Sequence, residues 1–115
     1  MEIPKIFESE YRFCEIVWTT EPIKSSELAK ICKLKLGWSK STTYTVIKRL
    51  SERGIIVNDD TYIKSCYTKE EVQVSEIREL LEKKFDGSLP SFIAAFTNNI
   101  ELSDKDKEEI KKFLE

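Results

Sequence analysis

The chain has no histidine among its 115 residues. That absence removes Ser–His–Asp and Cys–His catalysis, the HExxH zinc helix and most catalytic zinc sets. Glycine and proline are scarce, at three each. A many-stranded barrel or sandwich needs turn residues more often than that, so helices are favoured. Cysteine is scarce and odd in number: Cys14, Cys32 and Cys66 lie far apart in apolar or strand-like surroundings. They read as small core hydrophobes in a reducing, cytoplasmic setting, not as a disulfide set, and no metal or cofactor is expected. No apolar run approaches the roughly 18 residues of a membrane span. Glu2, Glu8 and Glu10 near the start do not suit a signal peptide. Neither a glycine-rich phosphate loop nor a pair of carboxylates in a plausible cleft is found, which argues against an enzyme.

What is present is 40% hydrophobic and 35% charged residues with a net charge of −2. This composition folds but leaves a wet surface, and the length suits one domain, or a small domain with a helical appendage. Charge is unevenly spread. Residues 1–68 carry 11 basic and 9 acidic side chains, whereas residues 69–115 carry 8 and 12. Between positions 24 and 49 lie Lys24, Lys30, Lys33, Lys35, Lys40, Lys48 and Arg49 against the single acid Glu27. A basic stretch inside an acidic protein suggests a confined anion-binding face. A plain solvated helix surface has the same composition.

Periodicity predicts a first helix over 8–18, with Tyr11, Cys14 and Trp18 on one stripe and an end before Pro22. A second helix over 25–33 has Leu28, Ile31 and Cys32 on its apolar face, and residues 34–38 form a connector. Ser39 caps a third helix running to about residue 53. Its inner side is Thr43, Val46, Ile47 and Leu50; its outer side carries Ser41, Tyr44, Thr45, Lys48 and Glu52. A strand over 55–57, a turn over 58–61 and a strand over 62–67 follow. Three helices and then one hairpin is the element order of a winged helix-turn-helix. Thr68 and Glu71 form a capping box that opens a helix over 69–85, with Val74, Ile77 and Leu81 as its stripe. Gly87 stops it, and Ser88 and Ser103 start two short helices. The expected fold is therefore mainly α with a small β-hairpin: a winged helix-turn-helix over 1–68 and a helical region over 69–115.

The third helix carries the chemistry. Small hydroxyl side chains approach base edges in a major groove while basic residues at the flanks hold phosphates. The C-terminal helices place Leu89, Phe92, Ile93, Phe96, Ile110, Phe113 and Leu114 on short segments that cannot bury them alone. They fold back on the winged helix or interlock with a second copy, and a two-fold dimer would set two recognition helices about one DNA turn, or a multiple of it, apart.

With these motifs the sequence resembles the BlaI/MecI penicillinase-repressor family, which also includes copper-responsive CopY-type repressors. Ser9-Glu10-Tyr11 through Ile16-Val17-Trp18 is similar to that family's opening helix, A-E-W-x-V-M-x-x-x-W. Gly37-Trp38-Ser39-Lys40-Ser41-Thr42 through Val46-Ile47-Lys48-Arg49-Leu50 is similar to its W-S-x-x-T-x-x-T-L-I-x-R-L segment. Gly87-Ser88-Leu89 to Phe96, then Glu101-Leu102-Ser103, then Glu108-Glu109-Ile110 to Leu114, resembles its dimerisation part. The resemblance covers nearly the whole chain and implies a homodimer that represses transcription from a dyad-symmetric double-stranded DNA operator. It implies base contacts from Ser41, Tyr44, Thr45 and Lys48, and phosphate contacts from Lys40, Thr42 and Arg49. It further implies a dimer interface of Leu81, Leu89, Phe92, Ile93, Phe96, Ile110, Phe113 and Leu114, and a sensor or protease as a further partner. Four departures stand out. Tyr44 replaces a usual arginine or histidine, and Asn58-Asp59-Asp60 makes the wing turn acidic. Ala95–Phe96 occupies the position of a cleaved Asn–Phe bond. The CopY Cys-x-Cys motifs are missing, since no cysteine follows Cys66. The alternative from another class is a winged-helix protein–protein module that does not bind DNA.

Overall fold

The computed structural model describes residues 2–115, which form nine elements. They are α1 (Glu8–Thr20), β1 (Ile23–Lys24), α2 (Ser25–Leu36), α3 (Lys40–Glu52), β2 (Ile56–Asp59), β3 (Tyr62–Ser65), α4 (Lys69–Phe85), α5 (Leu89–Asn99) and α6 (Asp104–Leu114). The chain divides into two compact units, one up to Ser75 and the other Glu76–Glu115, with the division inside α4. Among the described residues no helix is long and apolar enough to cross a membrane.

The first unit is a winged helix. Its core gathers Phe13, Cys14, Ile16 and Val17 of α1, Leu28 and Cys32 of α2, Val46, Ile47 and Leu50 of α3, and Ile55, Ile56 and Ile63 of the hairpin region. Thr43 is buried beside them, so α3 turns the expected side inward. In α1 the buried face centres on Phe13, Cys14 and Val17. Tyr11 and Trp18, expected on the inner stripe, stand half-buried at its border with their rings 5.5 Å apart, edge to face. The reason is polar: the Trp18 indole N–H donates to the Tyr67 carbonyl at 2.9 Å, and a buried indole needs such a partner.

Helix α2 runs one turn past the expected end. Lys33, Leu34, Lys35 and Leu36 all favour helix, and the chain leaves it only at Gly37, whose φ of +70° suits a residue without Cβ. The sheet has a third strand that the sequence reading lacks. Ile23 and Lys24 pair with Ile63 and Tyr62, giving the order β1-β3-β2. Two residues are too few to show a period; β3 creates this strand. The hairpin turn is also tighter than expected. Asp59 pairs with Tyr62, leaving only Asp60 and Thr61 as central residues, at φ +50° and +70°. Positive φ at both positions is the type I′ geometry that matches strand twist. The Thr61 carbonyl accepts the Ser25 N–H at 2.8 Å, which ties the turn to the start of α2.

Helix α4 opens on the expected capping box: Thr68 N–H donates to Glu71 at 2.9 Å, and Glu71 N–H to the Thr68 hydroxyl at 3.0 Å. Its buried positions are Val72, in the core of the first unit, and Leu81. Val74 and Ile77, expected to share the Leu81 stripe, are about half exposed. In the second unit Gly87 ends α4 with its N–H on the Leu81 carbonyl, 2.9 Å. Ser88 and Ser103 cap α5 and α6 by accepting the N–H of Ser91 and Asp106. Phe92 meets Phe85 edge to face at 5.3 Å. Neither α5 nor α6 has a fully buried residue.

Candidate nucleic-acid interface

The fold presents α3 to solvent along its length. Three turns of its inner side are anchored in the core, so the remaining side chains point outward by the 3.6-residue period. Lys40, Ser41, Thr42, Tyr44, Thr45, Lys48 and Arg49 are all exposed. The segment entering the helix is held by Trp38, whose ring stacks on Phe13 at 5.9 Å and 10°.

At the start of α3 the Ser39 hydroxyl is a hub. It accepts the Thr42 N–H at 3.2 Å and lies 2.9 Å from the Thr42 hydroxyl and 3.2 Å from that of Ser41. One turn on, the Thr45 hydroxyl donates to the Ser41 carbonyl at 2.9 Å. These hydroxyls are thus oriented before any ligand arrives. The Lys40 ammonium sits 5.9 Å from the centre of the Tyr44 ring, a cation–π approach that gathers the two larger side chains of this turn.

The cations of the basic stretch are nearly all free. Lys30 pairs with Glu27 at 3.4 Å. Among the described residues Lys24, Lys33, Lys35, Lys40, Lys48 and Arg49 make no ion pair. Free, exposed ammonium and guanidinium groups attract an anionic polymer strongly and in a salt-dependent way. The wing tip is opposite in sign: Asp59 and Asp60 are both exposed.

Two groups escaped the sequence reading. Arg53, just past α3, places one terminal nitrogen 2.7 Å from Glu10 of α1, donates from the other to the Lys5 carbonyl, and covers the Phe7 ring at 5.6 Å. Glu10 is 3% exposed, although its position in the first turn marks it only as a helix-dipole acid. A pair 43 residues apart leaves no trace in local spacing. Elsewhere on α1, Arg12 pairs with Glu8 and Glu15 at 2.7 Å each. Its hydrogen bond holds the Glu15 carboxyl below the usual range, aided by Lys69.

The cysteines divide. Burial pushes the Cys14 thiol up to about 12 and also raises that of Cys32, where the Thr43 hydroxyl draws it part of the way back. Cys66, expected in the core, is exposed. It follows the last residue of β3, and its backbone N–H still donates to the Ile55 carbonyl at 2.9 Å while its side chain faces solvent.

In the second unit the apolar residues expected at a dimer interface are largely uncovered. Leu89, Ile93, Phe96 and Ile110 are about half exposed or somewhat less, and Phe113 and Leu114 are 87% and 80% exposed. Phe92 is half-buried between Phe85 and Phe96, and Leu81 is buried within the chain. The Ala95–Phe96 bond lies inside α5.

A family model described as penicillinase repressor matches residues 6–115. The chain is similar to the penicillinase repressor of Bacillus licheniformis, with 25% identity over 118 residues, covering 99% of this chain and 92% of that one. It is 23% identical to the methicillin resistance regulatory protein MecI of Staphylococcus aureus strain Mu50, over 96% of this chain and 93% of the relative. A penicillinase repressor of Staphylococcus aureus is 25% identical over 96% and 90%.

Proposed function

The chain belongs to the penicillinase repressor family of transcriptional repressors, and on that premise we propose that it acts as a homodimer on a dyad-symmetric DNA operator. The observation that carries this reading is the outer side of α3: exposed hydroxyls, Tyr44 and unpaired cations on a helix whose other side is locked into the core. Ser41, Tyr44, Thr45 and Lys48 read bases; Lys40, Thr42 and Arg49 hold phosphates. Tyr44 cannot make the bidentate guanine contact of an arginine, so its base preference differs from that of relatives carrying one there. The wing tip, with Asp59 and Asp60, is repelled by the phosphate backbone and takes little part.

The uncovered side chains of α5 and α6 supply the second half of the proposal. Apolar residues this exposed on two short amphipathic helices are suited to a second copy of the chain. A dimer doubles the number of recognition helices and sets their spacing. The acidic wing and the net charge of −2 favour the second reading, a protein–protein module on the same scaffold.

A gel-shift titration separates the two. The probe is the duplex just upstream of the protein's own gene, with excess random duplex, at two salt concentrations. Competitor-resistant binding that weakens with salt is the expected result. Binding no tighter than to random duplex would turn the assignment toward the protein–protein module.

A further inference from the structure

Arg53 looks in sequence like one more cation at the end of the recognition helix. Its surroundings say otherwise. Both terminal nitrogens are engaged, one by the Glu10 carboxylate at 2.7 Å and the other by the Lys5 carbonyl. Both oxygens of the Glu10 carboxylate are engaged: one takes Arg53, and the other accepts the Phe7 N–H at 3.0 Å. The pair is enclosed, with the Glu10 side chain 4% exposed and that of Arg53 28%. It contrasts with Lys48 and Arg49 on the same helix, which are exposed and unpaired.

We propose that the Glu10–Arg53 pair is a latch that fixes the pose of α3 on the operator, and that Arg53 is a positioning residue, not a phosphate contact. This rests on the operator-binding reading above and deepens it. The latch joins two stretches distant in sequence: residues 5–10, which lead into and open α1, and Arg53, which follows α3. The other end of α3 is referred to the same part of α1, because Trp38 stacks on Phe13, three residues from Glu10. Helix α1 therefore holds both ends of the recognition helix, at one end through stacked rings and at the other through a directional ion pair. A planar guanidinium whose two terminal nitrogens each meet a separate partner, Glu10 and the Lys5 carbonyl, fixes direction as well as distance. Base contacts depend on helix pose within a fraction of a hydrogen-bond length, whereas salt-dependent attraction to phosphates does not. The latch thus acts on specificity and leaves the electrostatic part of binding alone.

The test uses the full chain, the upstream duplex, a random duplex and a salt series. In Glu10→Gln and in Arg53→Gln, affinity for the upstream duplex falls about tenfold, the discrimination of roughly one base contact. Affinity for random duplex and the slope of log K against log salt stay as in the unmodified protein. Lys48→Ala and Arg49→Ala serve as contrasts, Arg49→Ala lowering the slope by about one. A slope reduced by about one in Arg53→Gln would make Arg53 a phosphate ligand and overturn the proposal, as would Glu10→Gln binding the upstream duplex unchanged. Should either variant fail to fold by circular dichroism, Arg53→Lys decides. Lysine keeps the charge but cannot span Glu10 and the Lys5 carbonyl together, so a latch loses specificity and a phosphate contact keeps it. If the unmodified protein prefers the upstream duplex no more than random DNA, the operator reading fails, and the latch falls with it.

Discussion

Replacing Thr43 by valine should stabilise the winged helix. Thr43 is fully buried on the inner side of α3, and its hydroxyl oxygen has no hydrogen-bond partner of good geometry among the described residues. The Cys32 sulfur across from it on α2 is a weak partner at best. A buried hydroxyl left unsatisfied is unfavourable by about 1–3 kcal/mol. Valine fills nearly the same volume and exchanges the hydroxyl for a methyl, which favours burial by up to ~0.8 kcal/mol. Because the thiol recovers part of the hydroxyl's loss, we take the low end, a gain of about 1 kcal/mol. For a unit of this size that raises Tm by roughly 4–8 °C. Thr43→Ser is the matched control: it keeps the hydroxyl, deletes a buried methyl and lowers stability by about 1 kcal/mol. Both are read by thermal unfolding at one fixed protein concentration, since any association shifts Tm. Operator binding should not change, because the residue faces the core. A Tm lowered by Thr43→Val would refute the reasoning and show that the hydroxyl is satisfied in the folded protein.

Thiol counting with a chromogenic disulfide should find one fast-reacting cysteine in the native protein, Cys66, and two more after unfolding, because Cys14 and Cys32 are buried and their thiols are pushed up; three fast thiols would contradict the packing of α1 on α2. Thr61→Gly should raise stability by about 0.5–1 kcal/mol, since a left-handed β-branched residue is strained by about 1–2 kcal/mol and glycine's extra chain entropy offsets only part of that; a loss would mean that the Thr61 side chain anchors the turn. Phe96→Asp, at a site 38% exposed in the single chain, should convert a dimer to monomers on a calibrated column and leave the helical content intact, because a charge buried at an interface without a partner is unfavourable; a variant still eluting as a dimer removes α5 from the interface.

Much of this fold can be read locally, because local chemistry makes it. Ser39, Ser88 and Ser103 each announce a helix start and each accepts the expected backbone N–H. Thr43, Val46, Ile47 and Leu50 follow the helical period and lie inward as that period demands. Since the outer side of α3 is what remains, the exposure of the candidate DNA-contacting residues follows from the same pattern. What stays hidden is whatever depends on residues far apart. Strand β1 exists because β3 lies beside it. Val72 is buried, and Val74 is not, because of what α4 meets in the first unit and not because of its own periodicity. Glu10 and Arg53 look like ordinary surface charges until the fold brings them together. The I′ turn at Asp60-Thr61 was obscured for a different reason: it lacks the glycine that usually marks one.

The acidic wing has a consequence unrelated to DNA. In the order β1-β3-β2, strand β2 has a sheet neighbour on one side only. Its outer edge offers unpaired backbone groups, and residues 55–57 are Ile-Ile-Val, with Val57 exposed. Such an edge is a template on which another chain can add a strand and begin an aggregate. Asp59 at the end of this strand and Asp60 beside it put two like charges where an incoming copy would bring two more. Two like charges at the tip of β2 disfavour the addition of a second copy along that edge.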